Sequence, residues 1–406
     1  MLQLALKNIF YYKGRSITTF VLTFLSTLFF ILYVALMDGS HHAMLQNALK
    51  VYTGPIEIYK KGYRDIGGND YLIDDVGLLE SKLLHVKGIK SVTSRYETFG
   101  LLSNQTYSAA AMVVGIDPQK ERVHSQIAQA LQMGTYLDHG EGSCLYMGSE
   151  LAKKLHLSLQ DEVAFLGSAS DNSFAAELLK LCGTFKTGAY EFDATAAFIR
   201  RSYFDTIMLS RNKASYISII PDALDQVDTL QKQIQNAIDS KDFEVLTWKT
   251  LLDTMVEAME VDSIFGYISL SLFMVVIFFV IMIYGFINVS ARVREFGVLR
   301  CIGMNDIKVW KLLFYEIALL TLGAIALAAP LASGLCYYFH VHPIVIEGIA
   351  EMYKDYGIVS DEMPLDFNLF SIGWNVGVIV LLNGLSILYP YMYIRAQTPI
   401  EASRHV

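Results

Sequence analysis

The sequence predicts a membrane protein with four transmembrane α-helices and a large α+β domain, borne on helical stalks, inserted between the first and second of them. The 406 residues are 53% hydrophobic and 18% charged, and the mean hydropathy is +0.37. This is too apolar for a soluble chain of this length and too charged for one lying wholly in a bilayer. Four charge-free runs, 17–37, 264–289, 317–339 and 367–394, each supply the roughly 20 residues that a helix needs to cross a bilayer.

The region between the first two runs mixes strand and helix patterns. Alternating apolar residues predict strands, and apolar residues at helical spacing predict helices. The expected strands are 56–60, one beginning at 89–94, 163–166, 178–185 and 217–220, with a hairpin in 101–115 that turns at Asn104-Gln105. The expected helices are 145–157, 225–240 and a second stalk at 247–262.

Lysine and arginine bias predicts the orientation of the spans, because these residues favour the cytosolic side. Lys7, Lys13 and Arg15 precede the first run without an acidic residue among them, and segment 292–311 contains five basic residues. The connector 340–366 contains six acidic residues and one lysine. Both termini and segment 292–311 are therefore expected on the inside of the membrane, with the large domain and the acidic connector outside.

These assignments divide the chain into nine expected segments. They are a cytosolic interfacial helix (1–16), transmembrane helix 1 (17–37), the stalks and outside domain (38–263), transmembrane helix 2 (264–289), a cytosolic coupling helix (290–306), transmembrane helix 3 (307–339), an outside loop (340–366), transmembrane helix 4 (367–394) and a cytosolic tail (395–406).

The first run also resembles a signal peptide in position. It is too long for a typical signal-peptide core, and no small-x-small cleavage site follows it. We expect it to be retained as an anchor.

Segment 292–311 carries the clearest functional pattern. Phe296, Leu299 and Ile302 recur at helical spacing, which predicts a short helix with one apolar and one charged face. Gly303 ends this helix, and Asn305 or Asp306 can cap the next one. A cytosolic helix of this kind is expected to present its apolar face to a partner protein.

Chemistry of its own is not expected in this chain. The sequence contains no phosphate-binding loop, no G-x-S-x-G and no H-E-x-x-H, and the four runs contain no acidic residue that would relay protons. No catalytic residue and no metal site is predicted, and the net charge of −8 argues against nucleic acid as a partner.

Three side chains leave alternatives open. Cys144 and Cys182 both fall in the predicted outside domain and can pair if that compartment is oxidising. Glu316 precedes the charge-free core of the third span, where it either reaches the cytosolic edge or pairs with an arginine of the coupling segment.

Several motifs resemble one family of permeases. Residues 295–303, Glu-Phe-Gly-Val-Leu-Arg-Cys-Ile-Gly, are similar to the E-(I/F)-G-(I/V)-L-R-A-(I/L)-G signature of the FtsX, MacB and lipoprotein-releasing Lol permeases, with Cys301 at the position of alanine. The N-terminal residues 4–9, the tail around Pro399-Ile400-Glu401-Ala402, and pieces of the outside domain such as 147–155 and 181–188 resemble the same family.

The resemblance implies the membrane subunit of an ABC transporter, not an enzyme by itself. It places the chain in the bacterial inner membrane, with the large MacB-like domain and the loop 340–366 in the periplasm and both termini in the cytoplasm. A separate cytosolic ATPase would bind ATP and Mg and dock on Arg294, Glu295, Phe296, Gly297, Leu299, Arg300, Ile302 and Gly303. A second permease subunit, identical or different, would complete the membrane part. The chain itself would hold no cofactor.

The order of the motifs favours the lipoprotein-releasing branch, in which lipoproteins are extracted from the outer leaflet of the inner membrane. Acyl-chain contacts are expected at the outer ends of spans one and two, from Phe29, Tyr33, Met37, Phe265, Tyr267, Ile268 and Leu272. Lol permeases that recruit a periplasmic carrier use a protruding loop, and the matching stretch 167–176 is short and lacks proline. The alternatives are a MacB-type efflux permease with a periplasmic adaptor and an FtsX-like regulator of a cell-wall hydrolase.

Overall fold

The computed structural model describes residues 1–137, 142–238, 241–345 and 362–397. The chain divides into two compact units. Among the described residues, unit 1 comprises 1–43, 259–345 and 362–397, and unit 2 comprises those within 44–258.

Unit 1 is helical. Its helices are α1 (Leu2–Tyr11), α2 (Lys13–Val51), α11 (Asp253–Ser290), α12 (Val293–Cys301), α13 (Asp306–Val341), α14 (Leu369–Ser386) and α15 (Leu388–Ala396), and the boundary with unit 2 falls inside α2 and α11. In the described part of the chain, four helical stretches are long and apolar enough to cross a membrane: α2, α11, α13, and α14 together with α15. A two-stranded ribbon, β11 (Ile344–Val345) with β12 (Glu362–Met363), lies between the last two stretches in sequence.

Polar and small side chains pack the helices of unit 1 together. Thr23 and Asn383 are buried where α2 meets α14, with their side-chain oxygens 3.5 Å apart. Ala324, Ala328 and Ala332 recur every four residues along α13 and are all buried. Helices in lipid associate through such small residues and interhelical polar contacts, because apolar burial alone distinguishes little between lipid and protein.

Unit 2 contains ten strands in its described residues. They are β1 (Ile56–Lys60), β2 (Ile89–Ser103), β3 (Ser108–Ile116), β4 (Leu131–Gly134), β5 (Cys144–Gly148), β6 (Glu162–Ser168), β7 (Phe174–Phe185), β8 (Ala196–Arg200), β9 (Tyr216–Pro221) and β10 (Phe243–Thr247). They form one sheet in the order β10-β1-β9-β2-β3-β8-β5-β7-β4, with β6 paired to β2 and β7.

Short helices connect these strands. They are α3 (Tyr63–Ile66), α4 (Val76–Leu83), α5 (Pro118–His124), α6 (Ser149–Lys154), α7 (Tyr190–Asp193), α8 (Arg201–Ile207), α9 (Val227–Ala237) and α10 (Trp248–Leu251). Most pairs in the sheet are antiparallel, but β3 pairs with β8 and β5 with β7 in parallel. The sheet-rich domain thus lies between the first two long helices, as the sequence predicts.

The local predictions for unit 2 hold in most places and fail in three. The hairpin turns at Asn104, whose backbone N–H donates to Tyr107 O at 2.9 Å. The predicted helix 145–157 is wrong in its first part, because residues 144–148 are β5 and only Ser149–Lys154 is helical. A short, fully buried apolar run fits a central strand as well as a helix, and periodicity cannot separate the two.

The other two differences concern helix limits. The predicted helix 225–240 is shorter, since α9 covers Val227–Ala237 after a 3₁₀ turn. The predicted continuous helix 247–262 is interrupted at Leu252, between α10 and α11.

Candidate functional site

The segment predicted as a coupling helix (290–306) forms a shorter helix, α12 (Val293–Cys301). Arg292 precedes α12, and the helix ends before Gly303, whose φ of +101° lies in the region that favours glycine. The Asn305 side chain then caps α13 by accepting a hydrogen bond from the Ile307 backbone N–H. The segment is therefore a short helix set off at its C-terminal end by a glycine and a capped restart.

The apolar face of α12 does not point where the sequence analysis expected. Phe296 is only 1% exposed and packs in a cluster of buried side chains within unit 1. Its companions are Ala5, Val289, Val309, Leu312, Leu313, Ile387 and Ile394, with Leu299 packed at the edge. The premise that Phe296 and Leu299 form an outward face is wrong, because the helix uses that stripe to pack on its own chain.

Other residues of the segment are accessible. Ile302 is 79% and Val298 is 45% exposed, and Arg294 and Gly303 are exposed beside them. Of the predicted coupling residues, Gly297 is buried and Glu295 lies at the surface. The exposed surface of α12 and of the residue that follows it therefore includes Arg294, Val298 and Ile302.

A buried arginine at the start of α12 joins three parts of unit 1. Arg292 is 5% exposed. Its Nη1 donates to Glu316 Oε2 on α13 at 3.0 Å, and its Nε donates to Glu295 Oε2 at 3.1 Å. The Asn8 side chain on α1 donates to the second oxygen of Glu316, and the Tyr12 hydroxyl donates to Glu295. Of the two alternatives for Glu316, the structure shows the pair with a coupling-segment arginine.

A second arginine performs a similar role at the other end of the helix. Arg300 Nη1 donates to the carbonyl oxygens of Ile394 at 3.1 Å and Gln397 at 2.9 Å, at the C-terminal end of α15. Arg300 Nη2 lies 3.0 Å from Asp306 Oδ1, in the first turn of α13. Arg300, predicted as a contact for the ATPase, is thus engaged within its own chain.

Sequence reasoning offered an arginine of the coupling segment as one of two outcomes for Glu316, but it did not single out Arg292, and it missed Asn8 and Tyr12 as members of this site. The available signal was Glu316, an acidic residue next to a long apolar run that needs a cationic partner. The partner stands 24 positions earlier, which no local pattern reveals.

The predicted substrate contacts fall into two groups in unit 1. On α2, the Phe29 ring lies 5.6 Å from that of Phe273 on α11. Met37 approaches Gly266 so closely that a Cβ there would lie 2.5 Å from its sulfur. The second group lies on α11 and is more than half exposed: Phe265, Tyr267, Ile268 and Leu272. Phe29 and Met37 thus contact α11, Tyr33 is partly buried, and the α11 group faces outward.

Two histidine–aspartate contacts hold the end of this same region. His41 Nε2 lies 2.9 Å from Asp262 Oδ2 on α11, and His42 Nδ1 lies 3.2 Å from Asp366 Oδ2. The backbone of residues 364–366 passes directly over Gly39, where a Cβ would meet Pro364 O at 2.1 Å. The end of the first predicted span is thus tied both to the second and to the segment before the fourth.

In unit 2, a buried charge network holds the chain where it leaves α2. Arg95 is fully buried, and its Nη2 lies 2.6 Å from Glu121 Oε1. Its Nη1 donates to the carbonyl of Tyr52, the first residue after α2, at 2.7 Å, and its guanidinium lies 4.1 Å from the Tyr52 ring. Although burial favours the neutral acid, the charge of Arg95 holds the pKa of Glu121 below its usual value.

A buried histidine lies beside this pair. The two ring nitrogens of His124 lie 2.8 Å from the hydroxyls of Ser91 and Ser218. Burial, and next the positive charge of Arg95, lower the pKa of His124 to about 3. The ring is therefore neutral at ordinary pH and serves as a hydrogen-bonded part of the core.

A cavity of about 530 Å³ opens in unit 2 beside the carboxyl ends of β3 and β8. Its lining includes Lys120 and Arg201. Lys120 lies 2.6 Å from Glu80, and Arg201 lies 2.6 Å from Asp205. The cavity is polar, and both of these cations are already paired with acids of the same wall.

Cys144 and Cys182 are joined by a disulfide between the neighbouring strands β5 and β7. This is the pairing that the sequence left open.

Comparisons with known proteins agree with the arrangement of the helical unit. Residues 267–399 match the family described as FtsX-like permease C-terminal. The chain is also 22% identical over 332 residues to the lipoprotein-releasing system transmembrane protein LolC of Buchnera aphidicola, which covers 78% of this chain and 77% of that protein.

Residues 267–399 thus carry an FtsX-like permease domain, and the chain as a whole resembles the FtsX/MacB/LolC permeases of ABC transporters.

Two solved structures align with part of the permease. One is the extracellular domain of the ABC-type transporter YknZ from Gram-positive bacteria, with 16% identity and a TM-score of 0.35, covering 47% of this chain and 99% of that chain. The other is the periplasmic region of MacB from Actinobacillus actinomycetemcomitans, with 16% identity and a TM-score of 0.37, covering 52% of this chain and 97% of that chain.

Proposed function

We propose that this permease is the membrane subunit of a transporter that extracts lipoproteins from the outer leaflet of the inner membrane and releases them. A separate ATPase supplies the energy and holds the ATP and Mg, while the permease itself carries out no chemistry. The observation that carries the proposal is the exposed surface of α12, Arg294, Val298 and Ile302, on a helix anchored by its other face. An exposed apolar side chain at the centre of a charged surface is typical of a protein contact.

The choice of lipoprotein as substrate is supported by the similarity to LolC, which extends over 78% of the chain. The exposed apolar group on α11, Phe265, Ile268 and Leu272, suits an acyl chain, since each buried methylene contributes about 0.8 kcal/mol. Such a site needs no charged contact. A second permease subunit, identical or different, would complete the assembly.

Charge bias and the disulfide support the proposed topology. The basic residues near the N-terminus and around α12 favour the cytosol for both termini and for the coupling segment. The bond between Cys144 and Cys182 is typical of an oxidising compartment, which favours the periplasm for unit 2.

One observation favours the MacB-type alternative, in which an adaptor replaces a soluble carrier. The stretch 167–176, where a carrier-recruiting loop would stand, is a tight hairpin in which β6 ends at Ser168 and β7 begins at Phe174. The turn closes by a 2.9 Å hydrogen bond from the Ala169 N–H to Ser173 O. A turn this short offers a carrier little surface to bind. This supports an adaptor rather than a carrier as the further partner.

Photocrosslinking from position 268 tests the substrate. A photoreactive residue at Ile268, in cells that carry tagged lipoproteins, is expected to form lipoprotein adducts that disappear when ATP is supplied to isolated membranes. Ile283 is a matched control, because it is on the same helix and similarly exposed, at 51% against 59%. Adducts with phospholipid alone at both positions, or competition by a soluble drug, would exclude the lipoprotein assignment and favour efflux.

A further inference from the structure

Both ends of α12 are fastened by arginines to other helices of unit 1. At its start, Arg292 contacts Glu316 of α13, and Glu316 also accepts a hydrogen bond from Asn8 of α1. At its end, Arg300 contacts the last carbonyls of α15 and the first turn of α13. The coupling helix is therefore attached to the N-terminal helix, to the third long helix and to the C-terminal helix.

Of these three attachments, the one to α1 is the most specific. Ala5 is the one residue of α1 that is fully buried, and most of the other side chains of this helix, including Leu2, Leu6 and Phe10, are exposed. An exposed amphipathic helix of this kind would lie on the membrane and move independently. Here, the hydrogen bond from Asn8 to a buried carboxylate fixes its position on α13.

The same network reaches the junction between α1 and α2. Tyr12 is the residue between the two helices. Its hydroxyl donates to Glu295 of α12, and its ring lies 4.8 Å from the guanidinium carbon of Arg292. A displacement of α12 therefore acts directly on the residue from which the first long helix begins.

Burial makes this joint resistant to separation. The side chains of Arg292 and Glu316 are 5% and 10% exposed. Breaking such a pair leaves an uncompensated buried charge, which is strongly unfavourable, whereas moving both partners together leaves the contact intact.

We propose that α1, α12 and the first turns of α13 move as one body in the transport cycle, with Arg292, Glu316 and Asn8 as the joint. The N-terminal helix α1 then helps to transmit the motion of α12 to the first span. Asn8 and Glu316 act as positioning residues. This inference rests on the proposed function for the force that drives α12, but the joint itself is a property of this chain alone.

The experiment measures the distance between α1 and α12. Spin labels on an introduced Lys7→Cys and on the native Cys301, which is exposed, report this distance in the full-length permease in nanodiscs. Cys336 is buried and the other two cysteines form the disulfide. The distance is recorded for the permease alone, with its ATPase, and with the ATPase trapped in its ATP-bound state.

The wild-type distance is expected to be the same in all three states. In Asn8→Leu and in Glu316→Gln, the distribution is expected to broaden in the permease alone and to shift with nucleotide, while ATPase binding persists. Substrate stimulation of ATP hydrolysis should fall about fivefold or more, the lower range of coupling between sites. The matched control is Tyr11→Phe, at an exposed aromatic residue one position before Tyr12.

A charge exchange distinguishes loss of the Arg292–Glu316 contact from loss of coupling caused only by poor folding. Arg292→Glu and Glu316→Arg are each expected to lose coupling, and the double variant is expected to regain part of it. A wild-type distance that changes with nucleotide while the ATPase is bound, or single variants with unchanged distance and stimulation, would overturn the joint but leave the proposed function. Failure of the wild-type permease to bind any ATPase would overturn both.

Discussion

Two apolar residues of the coupling segment are expected to respond oppositely to truncation. Phe296 is 1% exposed inside the core of unit 1, and Ile302, six positions later, is 79% exposed. Phe296→Ala removes a buried ring and should destabilise the membrane unit by about 3–5 kcal/mol. Ile302→Ala removes a side chain that has few contacts in the free permease, so its effect on stability should be within about 0.5 kcal/mol.

Binding of the ATPase should show the reverse order. If Ile302 is an anchor of the contact, its truncation costs about 2 kcal/mol, which weakens the dissociation constant about 30-fold. Phe296→Ala, measured at a temperature where the variant is still folded, should change binding much less, because the ring does not reach the surface.

The assay titrates a fluorescently labelled ATPase against the permease in nanodiscs and records the thermal unfolding of the same samples. Ile66→Ala is a matched control, since Ile66 is similarly exposed, at 70%, and belongs to unit 2. Loss of binding in Phe296→Ala with unchanged thermal stability would refute the assignment of Phe296 to the core. Wild-type binding in Ile302→Ala and Ile302→Asp would refute the docking surface.

Three further predictions concern topology, the disulfide and pH. A membrane-impermeant thiol reagent applied to spheroplasts should label a cysteine at Asp171 and not one at Asn305, and labelling at 305 would invert the orientation. Replacing Cys144 and Cys182 by serine should destabilise unit 2 by about 4 kcal/mol, because in the loop-entropy model the disulfide closes a loop of 38 residues. An unchanged midpoint of chemical unfolding would contradict this prediction. Burial lowers the pKa of His124 to about 3 in the folded state, below the 6.5 of the unfolded chain. The neutral ring therefore contributes its full stability above pH 6.5. As the pH drops from 6.5 toward 3, that contribution falls by up to about 1.4 kcal/mol per pH unit. His124→Gln should flatten that dependence in hydrogen exchange of β9, and an identical pH profile in both proteins would count against it.

Much of the helical unit could be predicted from the sequence because the relevant signals are local. A bilayer requires a long run without charge, and each of the four runs meets that requirement without reference to the rest of the chain. The coupling helix is similar, since Gly303 and Asn305 fix its end and the next start by backbone conformation and side-chain capping.

The strands of unit 2 and their pairing were harder to predict from the sequence, because the contacts that decide them are not local. Strand β5 is buried at every position and lies between β8 and β7. Such a strand lacks the alternation that distinguishes a half-buried strand from a buried helix. The parallel pairing of β3 with β8 joins segments separated by four other strands in sequence, so it depends on the whole sheet.

The sequence by itself determined the number of long apolar helices, the place of the inserted domain and the presence of a short amphipathic helix within 290–306, because length, charge and helical spacing act within one stretch of chain. Only the tertiary structure decided which face of that helix is free. The same apolar stripe can pack against a partner protein or against the protein's own core. Which of the two occurs depends on the residues that lie beside the stripe in the fold. Phe296 lies in one buried cluster with Val309 and Leu312, and Arg292 binds Glu316, and all of these partners are distant in sequence. These long-range contacts leave Ile302 outward and join the N-terminal helix to the coupling segment.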